Sequence, residues 1–225
     1  MTTALVAGVF PADVAVVVSE IGDATPELWP DEAALVAGAV IKRRREFAHG
    51  RVNARKALAE LGAPAASVLV GAKREPLWPE GIVGSITHDE TLCVVAVASS
   101  DTYAGIGVDI EPEDGLEPAV AERIWSPAEA AHAARRTDMS EAVASRLVFS
   151  AKEAFYKCQF PLTRSFVGFK EVSVRLGDGD FELHLENAIA ELPAGARFHG
   201  TWRRAEDKLL AAMVLRRAEL PGFGR

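Results

Sequence analysis

Hydrophobic positions fall along the chain in two rhythms. Short runs rich in β-branched residues, "ALVAGVF" and "VAVVV", predict two strands near the start. From Asp31 to Leu61 the apolar residues take helical spacing, stopped by Gly62 and Pro64, and Gly50 inside the run predicts a kink or a close approach. Three more strand-like runs follow: "GIVGSIT", "LCVVAVAS" and "YAGIGVDI". "SPAE" at Ser126 to Glu129 offers an N-cap, a proline at N1 and a glutamate at N3. Ser140 caps a further helix that Pro161 is expected to end, and "EVSVRLGDGDFELHL" and "TWRRAEDKLLAAMVL" read as hairpins. Each half thus carries a long helix and about three mainly antiparallel strands. The expectation is an α+β fold of two similar halves packed side by side with a cleft between them, residues 1–112 and 113–225, joined at "EPEDGLEP".

With 225 residues, 49% of them hydrophobic and 25% charged, the chain is long enough for a real core and has a soluble composition. A net charge of −7 argues against non-specific nucleic-acid binding. No run approaches ~20 apolar residues, and the N-terminus lacks the basic region of a signal peptide, so no membrane association is expected. Cys93 and Cys158 stand apart without metal spacing and read as reduced packing residues of a cytoplasmic protein. Nucleotide-binding glycine motifs, a nucleophile elbow and zinc spacings are all lacking.

Four segments carry candidate chemistry. In "VFSAKEAFYKCQF" Phe149, Glu153 and Lys157 share one helical face, with Lys152 beside it; read alone, this is also an ordinary i,i+4 surface pair. In "GIGVDIEPED" strand alternation puts Asp109 and Glu111 on one side, where mutual repulsion calls for a cation such as Mg2+ unless the edge is simply solvated. "IKRRREFAHGRVNARKAL" gathers Arg44, Arg51 and Arg55 in a narrow arc flanked by Arg43, a guanidinium surface suited to phosphate. "GSITHDE" ends a strand with Thr87 and His88, and "GAKREPLWP" sets Lys73, Arg74, Glu75 and Pro76 beside Trp78.

In this order the segments resemble a phosphopantetheinyl transferase of the surfactin-synthetase-activating, enterobactin-synthase-component type. The two signatures are "GVDIEP" and "FSAKEAFYK", about forty residues apart, and the resemblance runs from roughly Ile41 to Phe169. It implies transfer of 4′-phosphopantetheine from coenzyme A to a serine of an apo acyl, aryl or peptidyl carrier protein, with release of 3′,5′-adenosine bisphosphate. Such carriers serve polyketide, peptide, siderophore or lipid synthases. The resemblance further implies that Asp109, Glu111 and Glu153 ligate Mg2+, and that Lys152 and Lys157 neutralise the diphosphate. Arg43, Arg51, Thr87 and His88 would hold coenzyme A phosphates, while Lys73, Arg74, Glu75 and Pro76 would frame the adenine side. The serine proton would go to Glu153 or to metal-bound water. A monomer is expected, because one chain carries both halves of the site. The loop "FPLTRSFVGFK", with Phe160, Leu162, Phe166, Val167, Phe169, Arg164 and Lys170, is expected to meet the carrier. Two other classes use the same residues: a Mg2+-dependent phosphohydrolase or nucleotidyltransferase, and a non-catalytic coenzyme A-binding module.

Overall fold

The structure, a computed structural model, describes residues 2–23 and 25–220. In chain order the elements are α1 (Thr2–Val6), β1 (Ala15–Glu20), α2 (Pro30–Leu35), α3 (Ile41–Glu60), β2 (Leu69–Val70), β3 (Pro76–Leu77), β4 (Ile82–His88), β5 (Leu92–Ser99) and β6 (Tyr103–Pro112). There follow α4 (Pro118–Ile124), α5 (Pro127–Ala133), α6 (Glu141–Thr163), β7 (Val172–Leu176), β8 (Asp180–Leu185), β9 (Arg197–Ala205) and β10 (Lys208–Arg216). The fold is α+β, with two main antiparallel sheets ordered β1-β5-β4 and β6-β10-β9-β8-β7 and a two-stranded β2-β3 ribbon. Helix α3 covers the first through Ala54, Ala57 and Leu58 against Cys93, Val95 and Val97. Helix α6 covers the second, burying Leu147, Ala151 and Phe155 against Phe181, Leu183 and Leu209.

Three elements differ from the sequence expectation. The first run is helical at Thr2–Val6, and the buried Leu5 and Val9 plug the sheet surface formed by Val108, Ile110 and Leu210. A short apolar run has too little periodicity to tell helix from strand. The long helix is broken after Leu35, and Arg44 bridges the break by donating from Nε to Val36 O at 3.1 Å and from its other end to Ala37 O. Helix α6 runs past Pro161 to Thr163 and stops where Arg164 takes a left-handed conformation at φ 53°. Gly50 does mark a close approach: a Cβ there would lie 3.2 Å from Ile86.

Strand β6 is the structural hinge-pin of the molecule. One edge pairs with β10, so it belongs to the five-stranded sheet. Its other edge meets β4 through side chains, not a backbone ladder: Val108 N–H donates to Ser85 Oγ at 3.1 Å, and Ile110 N–H donates to Thr87 Oγ1 at 3.2 Å. The hydroxyls of "GSITH" thus stitch the two sheets together. On the face toward α6, Gly105 and Gly107 admit the helix backbone itself. A Cβ would fall 2.2 Å from Cys158 O at Gly105 and 1.8 Å from Ala154 O at Gly107.

At the far edge of the same sheet, α5 covers β7. The N–H of Val174 donates to Glu129 Oε1 at 2.8 Å, and Leu176 O receives His132 Nε2 and Arg136 Nη1, both at 2.9 Å.

A methyl group at position 107 has no flexible neighbour to displace. Gly107→Ala is therefore expected to destabilise the chain by about 3 kcal/mol, the upper end of ordinary overpacking. Urea unfolding reads this directly, and a midpoint equal to wild type would show that α6 does not rest on β6 in this way.

Candidate active site

The row of β6 that admits α6 at Gly105 and Gly107 continues to Asp109 and Glu111, because alternate residues share a strand face. Asp109 is thereby buried under the helix, 5% exposed. Lys157 of α6 uses all three ammonium protons here, donating to Asp109 Oδ1 at 2.6 Å, Val108 O at 3.1 Å and Thr87 Oγ1 at 3.3 Å. Thr87 in turn donates to Asp109 Oδ1 at 3.3 Å, so its hydroxyl is fully occupied. Asp109 Oδ2 is buried and has no hydrogen-bond partner among the described residues.

The two other acids lie within the electrostatic reach of Asp109. Burial and then the Asp109 charge push the Glu111 carboxyl up to about 7, against the pull of Arg146. Burial also raises Glu153, with Asp109 adding to the rise and Lys157 opposing it. Two buried glutamates that both feel the Asp109 charge form, with it, a set that a cation would stabilise. Their oxygens suit a hard divalent ion. Among the described residues, however, no three His, Cys, Asp or Glu side chains already converge as a metal site. Lys157 and Arg146 hold Asp109 and Glu111 instead.

Beside this centre runs a cationic wall from α3. Arg43 Nη1 lies 3.3 Å from His88 Nε2, and since arginine only donates, that nitrogen accepts and the ring proton sits on Nδ1. Burial lowers the His88 pKa, and Arg43 and Lys157 push the same way while Glu46 opposes them. Arg51 is 6% exposed, stacks over the Phe47 ring at 4.0 Å, and has no ion pair among the described residues. Burial lowers its pKa to about 10. A buried guanidinium without a carboxylate is the setting for a bound anion.

Residues 31–98 match the family model "4'-phosphopantetheinyl transferase N-terminal domain", and residues 105–208 match "4'-phosphopantetheinyl transferase superfamily". The chain is 37% identical to the 4'-phosphopantetheinyl transferase PptT of Mycobacterium tuberculosis (strain ATCC 25618 / H37Rv), over 94% of this chain and 98% of the relative. It belongs to the phosphopantetheinyl transferases. Against the transferase Svp of Streptomyces mobaraensis identity is 38%, over 84% of this chain and 78% of the relative. Against enterobactin synthase component D of Salmonella typhi it is 30%, over 78% and 73%. The chain is thus an enzyme that transfers phosphopantetheine from coenzyme A to carrier protein.

The transferase does not bring every sequence candidate to this centre. Lys152 was expected at the diphosphate, yet it is 2% exposed on another side of α6. Its ammonium donates to Phe169 O at 2.7 Å and Ile124 O at 2.8 Å, and it pairs with Glu129 at 2.9 Å. All its protons are consumed in tying α6 to α4, α5 and the turn before β7. One residue of helix is ~100° of rotation, enough to take Lys152 off the stripe shared by Glu153 and Lys157, although Lys152 and Glu153 both line the small cavity described below. Arg44 and Arg55 also leave the expected arginine arc, because Arg44 bridges the helix break and Arg55 pairs with the buried Glu32.

Lys73 and Arg74 sit exposed at the turn between β2 and β3. Glu75 accepts from Lys73 N–H at 2.9 Å and from Arg164 at 2.7 Å across the two halves. Glu75 and Pro76 line a cavity of about 210 Å3 with Trp78, Gly105 and Arg164. A second cavity, about 150 Å3, opens beside Glu153 between Tyr156, Phe166, Val167 and Phe169. Of the apolar side chains in the expected docking loop only Phe166 is broadly exposed, at 78%, with Arg164 exposed beside it, while Phe160 and Val167 are buried and Lys170 donates to Glu122 O and Trp125 O.

Sequence reading missed Arg146, Ser85 and Glu46. Arg146 lies two helical turns before Glu153, close to the same face, and that spacing was the available signal.

Removing one partner of a buried ion pair leaves the other uncompensated. Lys152→Ala should therefore cost about 3–5 kcal/mol of stability, partly restored in Lys152→Met/Glu129→Gln. Chemical denaturation of the three proteins checks this. A Lys152→Ala chain as stable as wild type but inactive would return Lys152 to the chemistry.

Proposed function

We propose that Asp109, Glu111, Glu153 and Lys157 form the transfer centre for the coenzyme A diphosphate, and that Arg43, Arg51 and His88 hold its phosphates. The contact of Lys157 with Asp109 at 2.6 Å carries this reading, because it joins the strand signature and the helix signature in one centre. Thr87, occupied in the seam between the sheets, acts on the phosphates through Lys157. Glu75 and Pro76 frame the adenine side from the β2–β3 turn, whose exposed cations Lys73 and Arg74 face solvent beside it.

Asp109, with its unpartnered Oδ2, together with Glu111 and Glu153 would hold Mg2+, which when bound supplies charge neutralisation at the phosphoryl oxygens. Lys157 steadies the negative charge that develops on the departing adenosine bisphosphate. Glu153, whose burial raises its hold on a proton, takes the proton of the carrier serine as its oxygen attacks phosphorus.

The acceptor is an apo carrier domain of a polyketide, peptide, siderophore or lipid synthase. With a net charge of −7, long-range attraction to an acidic carrier is absent, so docking rests on a local patch. Phe166 with Arg164 at the mouth of the cleft is that patch. One chain supplies both sides of the centre, which fits action as a monomer. The buried free thiols Cys93 and Cys158 fit a reducing, cytoplasmic setting. Among the described residues, no helix is long and apolar enough to cross a membrane.

Incubation of apo carrier proteins with coenzyme A and Mg2+ should add the mass of one phosphopantetheine, read by intact mass. Asp109→Asn and Glu153→Gln should each cut the rate by about 10²- to 10³-fold. Arg51→Ala should raise KM for coenzyme A about tenfold with little change in kcat, as loss of a charge-assisted hydrogen bond would. Coenzyme A cleavage with the carrier mass unchanged would favour hydrolysis over transfer, and full activity in both acid variants would sink the centre assigned here.

For docking, Phe166→Ala should raise KM for carrier by about tenfold, the loss of an exposed aromatic anchor. Calorimetry without carrier should find coenzyme A binding near wild type. Loss of coenzyme A binding in this variant would move Phe166 out of the docking patch.

A further inference from the structure

Arg146 grips the segment that follows β6. Its Nη1 donates to Glu111 Oε2 at 3.0 Å, and its Nη2 donates to Asp114 Oδ1 and to Gly115 O, both at 2.7 Å. The side chain is 18% exposed, and its Nε is buried without a hydrogen-bond partner among the described residues. The gripped turn is pressed on α6. Gly115 has φ +70°, and a Cβ there would lie 2.7 Å from that of Ala142; Leu116 N–H reaches Ser145 Oγ at 3.4 Å. Glu111 is the last acid of the strand row, and among the described residues no hydrogen bond or ion pair from β10 or β4 meets its side chain.

We propose that Arg146 is the positioning residue for Glu111. By fixing one carboxylate oxygen to α6, it sets Glu111 in register with Glu153 on the same helix and so sets the divalent-cation affinity of the three-acid centre. This rests on the metal reading given above. A planar fork with several donors can hold a carboxylate and a backbone carbonyl at once, whereas an ammonium offers a point charge without that geometry.

Charge and geometry pull in opposite directions here, which makes the inference testable. A fixed positive charge near a cation site weakens cation binding by Coulomb repulsion, so removing it should tighten binding if charge were its only influence. Positioning predicts the reverse. Mn2+ is the probe, added to the full-length, metal-free chain without coenzyme A, with free Mn2+ followed by electron paramagnetic resonance. Wild type should bind, and Glu153→Gln should bind more weakly. Arg146→Lys, which conserves charge and loses the fork, should bind Mn2+ about tenfold more weakly, a change of about 1.4 kcal/mol. Arg146→Gln should also bind more weakly. In a Glu111→Gln background, Arg146→Lys should change nothing further.

In turnover, excess Mg2+ should restore the kcat of Arg146→Lys, which a merely structural defect would not allow. Circular dichroism at the assay temperature establishes that each variant is folded. Should Arg146→Gln fail to fold, the charge-conserving Arg146→Lys carries the comparison. Wild-type affinity in Arg146→Lys, tighter binding in Arg146→Gln, or an additive effect in the Glu111→Gln background overturns the inference alone. A wild-type chain that takes up no Mn2+ overturns the metal reading and this inference with it.

Discussion

The backbone of α6 rests directly on the backbone of β6, and most of what the site does depends on that approach. Gly105 and Gly107 are the places where it happens, since any side chain there would overlap Cys158 O or Ala154 O. With the helix this close, the next residue in the same row, Asp109, has nowhere to go but under it. A carboxylate so placed is desolvated and requires a cation, which Lys157 supplies. The glycines that look like plain strand spacing in "GIGVDIEP" are therefore part of the electrostatics of the centre.

The second constraint is the seam between sheets. Strand β6 has spent one edge on β10, and its other edge finds Ser85 and Thr87 hydroxyls in place of a backbone ladder. This brings β4, and with it His88 and the α3 wall of Arg43 and Arg51, up to the carboxylates. The resulting centre is internally opposed. Glu111 and Glu153 are held where burial and Asp109 disfavour their charge, while Arg51 keeps a buried charge with no ion pair among the described residues, the Glu32 charge countering only part of the burial. Such opposition costs stability in the free protein and, on the function proposed above, would be offset by a polyanionic substrate and a divalent cation.

Much of this was legible in the sequence, and the failures have physical causes. Strand alternation put Asp109 and Glu111 on one side, and helical periodicity put Glu153 and Lys157 together, because both depend only on local geometry. Lys152 is bonded away from the Lys157 contact because a shared motif does not say which way each side chain turns, and its partners, Ile124 O, Phe169 O and Glu129, are 17 to 28 residues distant. The arginine arc failed for a related reason. Periodicity cannot see that a helix breaks after Leu35 or that Glu32 lies within reach of Arg55. Arg146 was passed over because its acceptors lie in a turn without periodic signal.

The covering of β7 has a consequence of a different kind. A five-stranded sheet with an open edge would offer a row of unpaired donors and acceptors to any extended chain. Here Glu129 takes Val174 N–H while His132 and Arg136 take Leu176 O, and Glu129 is itself anchored by Lys152. The buried ion pair thus acts as a lock on the sheet's rim, and loosening α5 would be the first step by which this protein could template its own aggregation.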